Sequence, residues 1–490
     1  MQQLKFDFNN MFDFNVGQEH GITLKELEDY LPAAQECIAH FEKLISNKTD
    51  RINLNLEWAM LPFQDKQAVK RIQSLGNKIS KSYENALFLG IGGSYLGLKA
   101  AQDALRSPYY NEFAGLRKGR AKIYFDGNNI DPVTLKTLLS NLNPKKTFVV
   151  VISKSGETTE TKAAFELARN WLKKAAGAKY GRQILAITDP ESGTLRKIVN
   201  EEQKKDKLSF MNLPLLKGVG GRFSEFNMGL LHMAIAGISI EKVLAGAERM
   251  YKLCTEKNVY DNPAYLYAIL QMLSSRNKGK SISIVMPFSE ELKSTAEWYV
   301  QLLAESLGKK YARKIIENPD GTEKWVNDTS KTVNTGRTPI PSRGTNDLHS
   351  IQQNNAEGMT NKTVTFIRIE KYPQDLTVPD TKDFIAGKKY SRLIQLAQEA
   401  TEWALVRQQR PNCTIILPEL NANTWGQLLF FFEMTTAVEG ELLGINAFDQ
   451  PGVEGYKNYI YHKLNKPGLG QEITKEITNN PLVKKPEFVL

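Results

Sequence analysis

Cysteine is scarce in this chain. Cys37, Cys254 and Cys413 are scattered over 490 residues with no CxxC pair. An odd, sparse count excludes a disulfide framework and fits a reducing compartment. There are five histidines, none at metal-ligand spacing from another, so no metal site is expected. Long apolar runs are missing too. No stretch approaches the roughly 18 consecutive apolar residues of a membrane span. The most apolar segment, Met228 to Ile240, carries His232 and glycine or serine breaks, and it reads as a buried helix. Residues 1–10 lack a basic stretch followed by an apolar run, so no secretory signal is expected there. GxxxxGK[ST] is absent, and so is GxGxxG with its distal acid, which disfavours a P-loop or dinucleotide site. The formal net charge is +10. No dense Lys/Arg block with interleaved aromatics accompanies it, and basic and acidic residues alternate as on a solvated surface. A nucleic-acid partner is therefore disfavoured, and the field suits a small anion. The expectation is a cytoplasmic protein with no membrane partner.

The composition, 41% hydrophobic and 24% charged, is that of a globular protein too long for one core. The first 80 residues read as helices. Leu24 to Ser46 has helical spacing, with Thr23 and Glu26 as a capping pair. Short apolar strands then alternate with helices. The strands are Ala86–Leu89, Lys122–Phe125, Thr147–Ile152 and Ile184–Thr188, with helices at Leu96–Leu105 and Thr161–Lys174. The pattern restarts with strands Ser281–Met286, Thr363–Ile369 and Thr414–Leu417, and helices Glu291–Leu307, Lys389–Arg407 and Trp425–Leu442. This alternation predicts α/β architecture with parallel sheets covered on both faces. The predicted division is an N-terminal helical segment (1–80), an α/β domain (81–240), a helical connection (241–274), a second α/β domain (275–445) and a C-terminal segment (446–490). The polar stretch Glu317 to Arg343 reads as a long loop bordering a site. The chain after Ile460 reads as a surface tail.

Open parallel sheets bind ligands at the carboxyl ends of their strands. After the first strand comes Gly90-Ile91-Gly92-Gly93-Ser94, which suits either a tight turn or close approach to an anion. After the third comes Ser153-Lys154-Ser155-Gly156-Glu157-Thr158-Thr159-Glu160-Thr161. Five hydroxyls and one ammonium at a helix start form a phosphate-binding pattern, although a hydroxyl-rich capping segment has the same composition. Gly220-Gly221-Arg222-Phe223-Ser224 opens another helix and presents an arginine, either to an anion or to solvent. Glu297 and Glu305 lie on one face of a predicted helix. Glu305, near the helix end, is a candidate general base, or else a solvated glutamate. His349 follows the turn Gly344-Thr345-Asn346 and is the histidine best placed for proton transfer. His20, His40, His232 and His462 lack such settings. Phe448-Asp449-Gln450-Pro451-Gly452-Val453-Glu454 leads to Lys457, around a turn that would also cap a helix.

In this order the motifs resemble the phosphoglucose isomerase family, from about Gly90 to Lys457. The resemblance implies two tandem sugar-isomerase-type (SIS) αβα domains and interconversion of glucose 6-phosphate and fructose 6-phosphate, in glycolysis and gluconeogenesis. It implies no metal or cofactor, and a homodimer in which His349 is supplied across the interface. Gly93, Ser94, Ser153, Lys154, Ser155 and Thr158 would hold the phosphate, and Gln450 would contact the sugar. Glu305 would carry the proton between C2 and C1, Arg222 would stabilise the enediolate, and His349 and Lys457 would open the ring with Glu160 orienting His349. Three positions depart from the family pattern. Glu157 puts a carboxylate in the phosphate loop and is expected to point away. Glu225 to Met228 replaces smaller, less polar residues. Leu307 stands where a polar residue is common. Two other readings keep the fold: a dual phosphoglucose/phosphomannose isomerase, and a non-catalytic sugar-phosphate-binding regulator.

Overall fold

A computed structural model describes residues 3–490. The chain separates into two units, one up to Ala447 and one from Phe448 to Leu490.

In the larger unit a short strand, β1 (Lys5–Asp7), precedes a series of helices. Helix Leu24–Ser46 starts on the expected capping box: Thr23 accepts from the N–H of Glu26, whose side chain accepts from the N–H of Thr23. Five strands then build a wholly parallel sheet: β2 (Asn85–Leu89), β3 (Lys122–Asp126), β4 (Thr147–Ile152), β5 (Ile184–Thr188) and β6 (Met211–Pro214), in the order β3-β2-β4-β5-β6. Every residue of β2, β4 and β5 is buried. Helices covering both faces make their sequences continuous apolar runs. From β2 the chain crosses to β3 on one side; from β4 it proceeds to β5 on the other. The β2/β4 boundary is therefore the topological switch point, where such sheets open a ligand crevice. Leu89 pairs with Val151, so the loops leaving β2 and β4 emerge side by side.

The second sheet contains β7 (Ile282–Pro287), β10 (Thr338–Pro341), β11 (Lys362–Lys371) and β12 (Asn412–Glu419). Its order is β1-β12-β11-β7-β10, parallel except at β1. The N-terminal residues are thus not all helical. Three of them close the far edge of the second sheet, a pairing that no local pattern records. The stretch from Glu317 to Arg343 is also not a loop. β8 (Lys309–Glu317) and β9 (Glu323–Thr335) form an antiparallel hairpin, and β10 follows directly. The hairpin hides its alternation because one of its buried positions is an acid. Glu323 is 6% exposed and lies between the ring of His40 (2.9 Å) and the indole N–H of Trp325 (3.0 Å). Arg313 of β8 reaches Glu441 of helix Ala422–Leu442 and lies 4.0 Å above the Trp325 ring. The other ring nitrogen of His40 is 3.0 Å from Glu441. His40, unremarkable in sequence, therefore joins helix Leu24–Ser46 to the hairpin and to the buried helix Ala422–Leu442.

In the smaller unit the chain after Ile460 has no buried residue, as a surface tail should, but part of it is helical. The unit holds helices Glu454–Lys463 and Gln471–Asn479, neither with a buried residue. Among the described residues no helix is long and apolar enough to cross a membrane.

Candidate active site

The loop after β4 is held from behind. The Lys154 carbonyl accepts from the hydroxyl of Thr188 and the amide of Asp189, and the Ser155 carbonyl accepts from the amide of Thr194. Ser153 is buried and its hydroxyl oxygen accepts from the N–H of Gly156 at 3.0 Å, which leaves its own proton to donate. Ser155 Oγ accepts from the N–H of Glu157. Helix Thr159–Ala176 begins at N-cap Thr158, whose side chain makes no capping hydrogen bond. N–H groups in a first turn without a side-chain cap attract anions. The Glu157 carboxylate accepts from the Thr194 hydroxyl and pairs with Lys162 at 3.4 Å.

The loop after β2 lies against the Arg222 turn. A Cβ at Gly93 would stand 2.1 Å from the Gly221 carbonyl oxygen and 2.8 Å from the Arg222 nitrogen. Only glycine allows the two backbones to meet there. Ser94 follows in the same 3₁₀ turn (Gly92–Ser94), ahead of helix Leu96–Leu105.

Arg222 is 4% exposed. Its three nitrogens diverge: Nε donates to Ser306 Oγ (2.8 Å), Nη2 to the Ala447 carbonyl (2.6 Å) and Nη1 to Glu305 Oε2 (3.2 Å). Glu305, near the end of helix Lys293–Leu307, has its side chain one third exposed. Its other oxygen accepts from Gln301 Nε2 at 3.0 Å, and its carbonyl accepts from Lys309. Gln301 Oε1 is buried without a hydrogen-bond partner among the described residues, and the side chain lies against Gly92. The Glu305 carboxylate is thus held at one oxygen by a buried cation and at the other by Gln301, one third exposed, with Gln301 seated against the loop after β2. The two glutamates of this helix part company: Glu297 pairs with Lys293 at 3.7 Å and is a solvated surface acid.

Sequence reasoning missed Gln301 and Ser306 as members of this group. The available signal was helical spacing, since Gln301 is one turn before Glu305 and Ser306 follows it.

His349 ends the 3₁₀ turn Asn346–His349 at the carboxyl end of β10, and it is exposed. Asp347 organises the turn by accepting from the Arg343 amide (2.7 Å) and the Ser342 hydroxyl (3.2 Å). Within this chain no hydrogen bond among the described residues joins His349 to Glu160, which lies in the first turn of helix Thr159–Ala176. Gln450 and Lys457 belong to the smaller unit. There Lys457 Nζ is 2.8 Å from Glu454. Burial opposes the lysine's charge, but the Glu454 carboxylate outweighs it and holds Lys457 above the ordinary lysine range. His232 is a core residue: burial, and then Arg106 and Lys99, push it down to about 3.

Residues 63–475 match the family model for phosphoglucose isomerase. The glucose-6-phosphate isomerase of Carboxydothermus hydrogenoformans is 35% identical, with 99% of each chain aligned. That of Acetivibrio thermocellus is 32% identical over 97% of this chain and 99% of its own. Among solved structures, a hypothetical protein from Thermus thermophilus superposes with a TM-score of 0.78 at 28% identity, covering 94% of this chain and all of the other. A glucose-6-phosphate isomerase from Chlamydia trachomatis has the same fold, with a TM-score of 0.74 at 22% identity over 94% of this chain and 90% of that one. On the full-length identity and the family match, the chain belongs to the phosphoglucose isomerase family.

Proposed function

We infer that the chain interconverts glucose 6-phosphate and fructose 6-phosphate. The observation that carries this reading is the Arg222–Glu305 pair, a partly exposed carboxylate held against a buried guanidinium whose turn packs on the loop after β2.

Ser94, Ser153, Lys154, Ser155 and Thr158, with the Gly93 backbone, bind the phosphate through hydroxyls, an ammonium and free helix N–H groups. This fixed anchor supplies binding energy remote from the reacting carbons and positions them. Glu305 removes the proton from C2 of the open aldose. The C2–H electrons form the C1–C2 double bond of a cis-enediolate, and the negative charge goes to the C1 oxygen. The C2 hydroxyl proton passes to the C1 oxygen, and as C2 becomes the carbonyl the same carboxyl returns its proton to C1, giving the ketose. Arg222 stabilises the enediolate and keeps Glu305 ionised. Gln301 orients Glu305. His349 and Lys457 open the ring, Gln450 contacts the sugar, and Glu160 orients His349.

His349 is exposed at the end of a rigid turn, which suits its donation to the site of a second copy in a homodimer. The two sheets support a division into two SIS-type domains at 81–240 and 275–445. Operation in the cytoplasm, without a nucleic-acid or membrane partner, completes the proposal.

The test is proton NMR of glucose 6-phosphate with the purified protein in D2O. Fructose 6-phosphate should form, with deuterium entering at C1. Phosphate-dependent binding without turnover would replace this reading with that of a silent sugar-phosphate-binding protein.

A further inference from the structure

The segment after Arg222 departs from the family pattern at Glu225, and that residue is 1% exposed. It opens helix Glu225–Ala236, which is buried at 11 of its positions. Its Oε1 accepts from the indole N–H of Trp298 at 2.7 Å. Trp298 sits two turns before Glu305 on helix Lys293–Leu307. A Cβ at Gly97 would stand 2.2 Å from Glu225 Cγ, so the side chain is also seated against the helix that follows Ser94. The third neighbour is Glu433, fully buried on helix Ala422–Leu442 and facing the Glu225 carboxyl. Neither oxygen of Glu433, nor Oε2 of Glu225, accepts a hydrogen bond from another described group.

Two ionised carboxylates cannot face each other in such surroundings. Burial pushes both carboxyls up, and the facing Glu225 charge pushes Glu433 up further. No lysine or arginine is among the groups that act on the pair, and several cations of neighbouring segments are paired elsewhere. Lys99 pairs with Asp103, Lys293 with Glu297, and Arg337 with Glu439. The guanidinium of Arg222 goes to Glu305, Ser306 and Ala447. The groups acting on the pair, besides each carboxyl on the other, are the Trp298 indole and the backbone amides of Ser224 and Glu225.

We propose that Glu225 and Glu433 share a proton and act as a positioning clasp that sets Arg222 against Glu305. The idea rests on the reading of Arg222 and Glu305 as the proton-transfer pair. A carboxylic O–H on one donates to an oxygen of the other and satisfies atoms that have no other partner. The hydrogen bond ties the helix that follows the Arg222 turn to helix Ala422–Leu442, five residues beyond whose end the Ala447 carbonyl accepts from Arg222. The Trp298 bond ties both to the helix of Glu305. Neither acid touches substrate. Ionisation of the clasp lowers kcat by misaligning base and cation, and it leaves KM, set by the phosphate loops, nearly unchanged.

The native state holds a proton that the unfolded chain releases above about pH 4.3. Stability therefore falls with rising pH until the pair ionises. Glu433→Gln supplies a permanent N–H donor and removes this slope. Three measurements test the clasp: the infrared carbonyl band of a protonated acid at neutral pD, thermal unfolding against pH, and kcat and KM against pH. The parent should show a band that Glu433→Gln lacks. The variant should keep kcat within about twofold at neutral pH and carry its alkaline decline to higher pH. Glu225→Leu should lower kcat about tenfold with KM within about twofold; if it does not fold, Glu433→Gln decides alone. Superimposable infrared spectra, or identical pH dependence in parent and Glu433→Gln, would overturn the clasp. If the parent does not turn over glucose 6-phosphate, the functional reading fails, and the infrared and unfolding comparisons still decide the clasp.

Discussion

Replacement of Arg222 by methionine keeps the length of the side chain and removes the charge and all its donors. The structure sets two separate costs. The first is to folding. Ser306 Oγ and the Ala447 carbonyl, at 2.8 and 2.6 Å, lose a buried donor. A buried acceptor left unpaired costs about 1–3 kcal/mol, and the serine hydroxyl can turn to recover part of this. A net loss of about 2–4 kcal/mol follows. The second cost is to the reaction. A preorganised donor aimed at a developing oxyanion contributes about 3–4 kcal/mol. Coulomb's law for unit charges about 4 Å apart at an effective dielectric of ~20 gives about 4 kcal/mol, the same order. At about 1.4 kcal/mol per factor of ten, kcat should fall some 10²- to 10³-fold. KM should change by less than about fivefold, because the phosphate loops do not depend on Arg222. Arg222→Lys should fall between parent and Arg222→Met, since an ammonium keeps the charge but cannot reach three diverging acceptors. Initial rates by NMR, with circular dichroism to establish that the variant is folded, give both quantities. A folded Arg222→Met enzyme with kcat within about threefold of the parent would refute the assignment of Arg222 to the transition state.

Glu305→Gln should abolish deuterium incorporation from D2O while substrate affinity stays within about threefold, because the amide cannot accept the C2 proton; residual exchange near the parent's rate would move the base elsewhere. Gly93→Ala must separate the Gly93 and Gly221 backbones, because the new Cβ would otherwise stand 2.1 Å from the Gly221 carbonyl oxygen. It should cost about 1–3 kcal/mol of stability and at least tenfold in kcat, and an unchanged unfolding temperature would argue against the close approach. His40 is held above the ordinary histidine value, first by its hydrogen bond to Glu441 and also by Glu323, both opposed by burial. Its stabilising contribution is therefore complete below about pH 6.5 and lost as pH rises through the raised value. The unfolding temperature of the parent should exceed that of His40→Gln most on the acid side of this window and converge with it on the alkaline side; a gap that stays constant with pH would contradict the two-carboxylate setting.

What was legible in the sequence divides by where partners lie. β2, β4 and β5 announce themselves as apolar runs because both faces of the sheet are covered. Their loops are legible because ligand chemistry concentrates where such strands end. The capping box at Thr23 and Glu26 is a contact within one turn, and local sequence suffices for it. β1 pairs with β12, almost the whole chain away. The β8–β9 hairpin buries Glu323 where an apolar residue would have shown the alternation. In both cases the information lies in a distant partner.

The same distinction separates the site residues from their supports. Arg222 and Glu305 sit in short motifs whose composition suggests chemistry, and the structure adds the 3.2 Å contact that pairs them. Glu225 and Glu433 carry no such signal. In sequence Glu225 opens a largely apolar helix and Glu433 is one of three glutamates on another, and burial alone would penalise either by several kcal/mol. The penalty falls only when the two share a proton, so neither can be understood, or replaced, without the other. Glu225 breaks the pattern of its own segment, and the facing acid that offsets it lies on a helix with which it shares no local sequence. A departure of this kind points to a tertiary partner before it points to a flaw in the motif, and the partner here reaches the catalytic pair through Trp298 and Ala447.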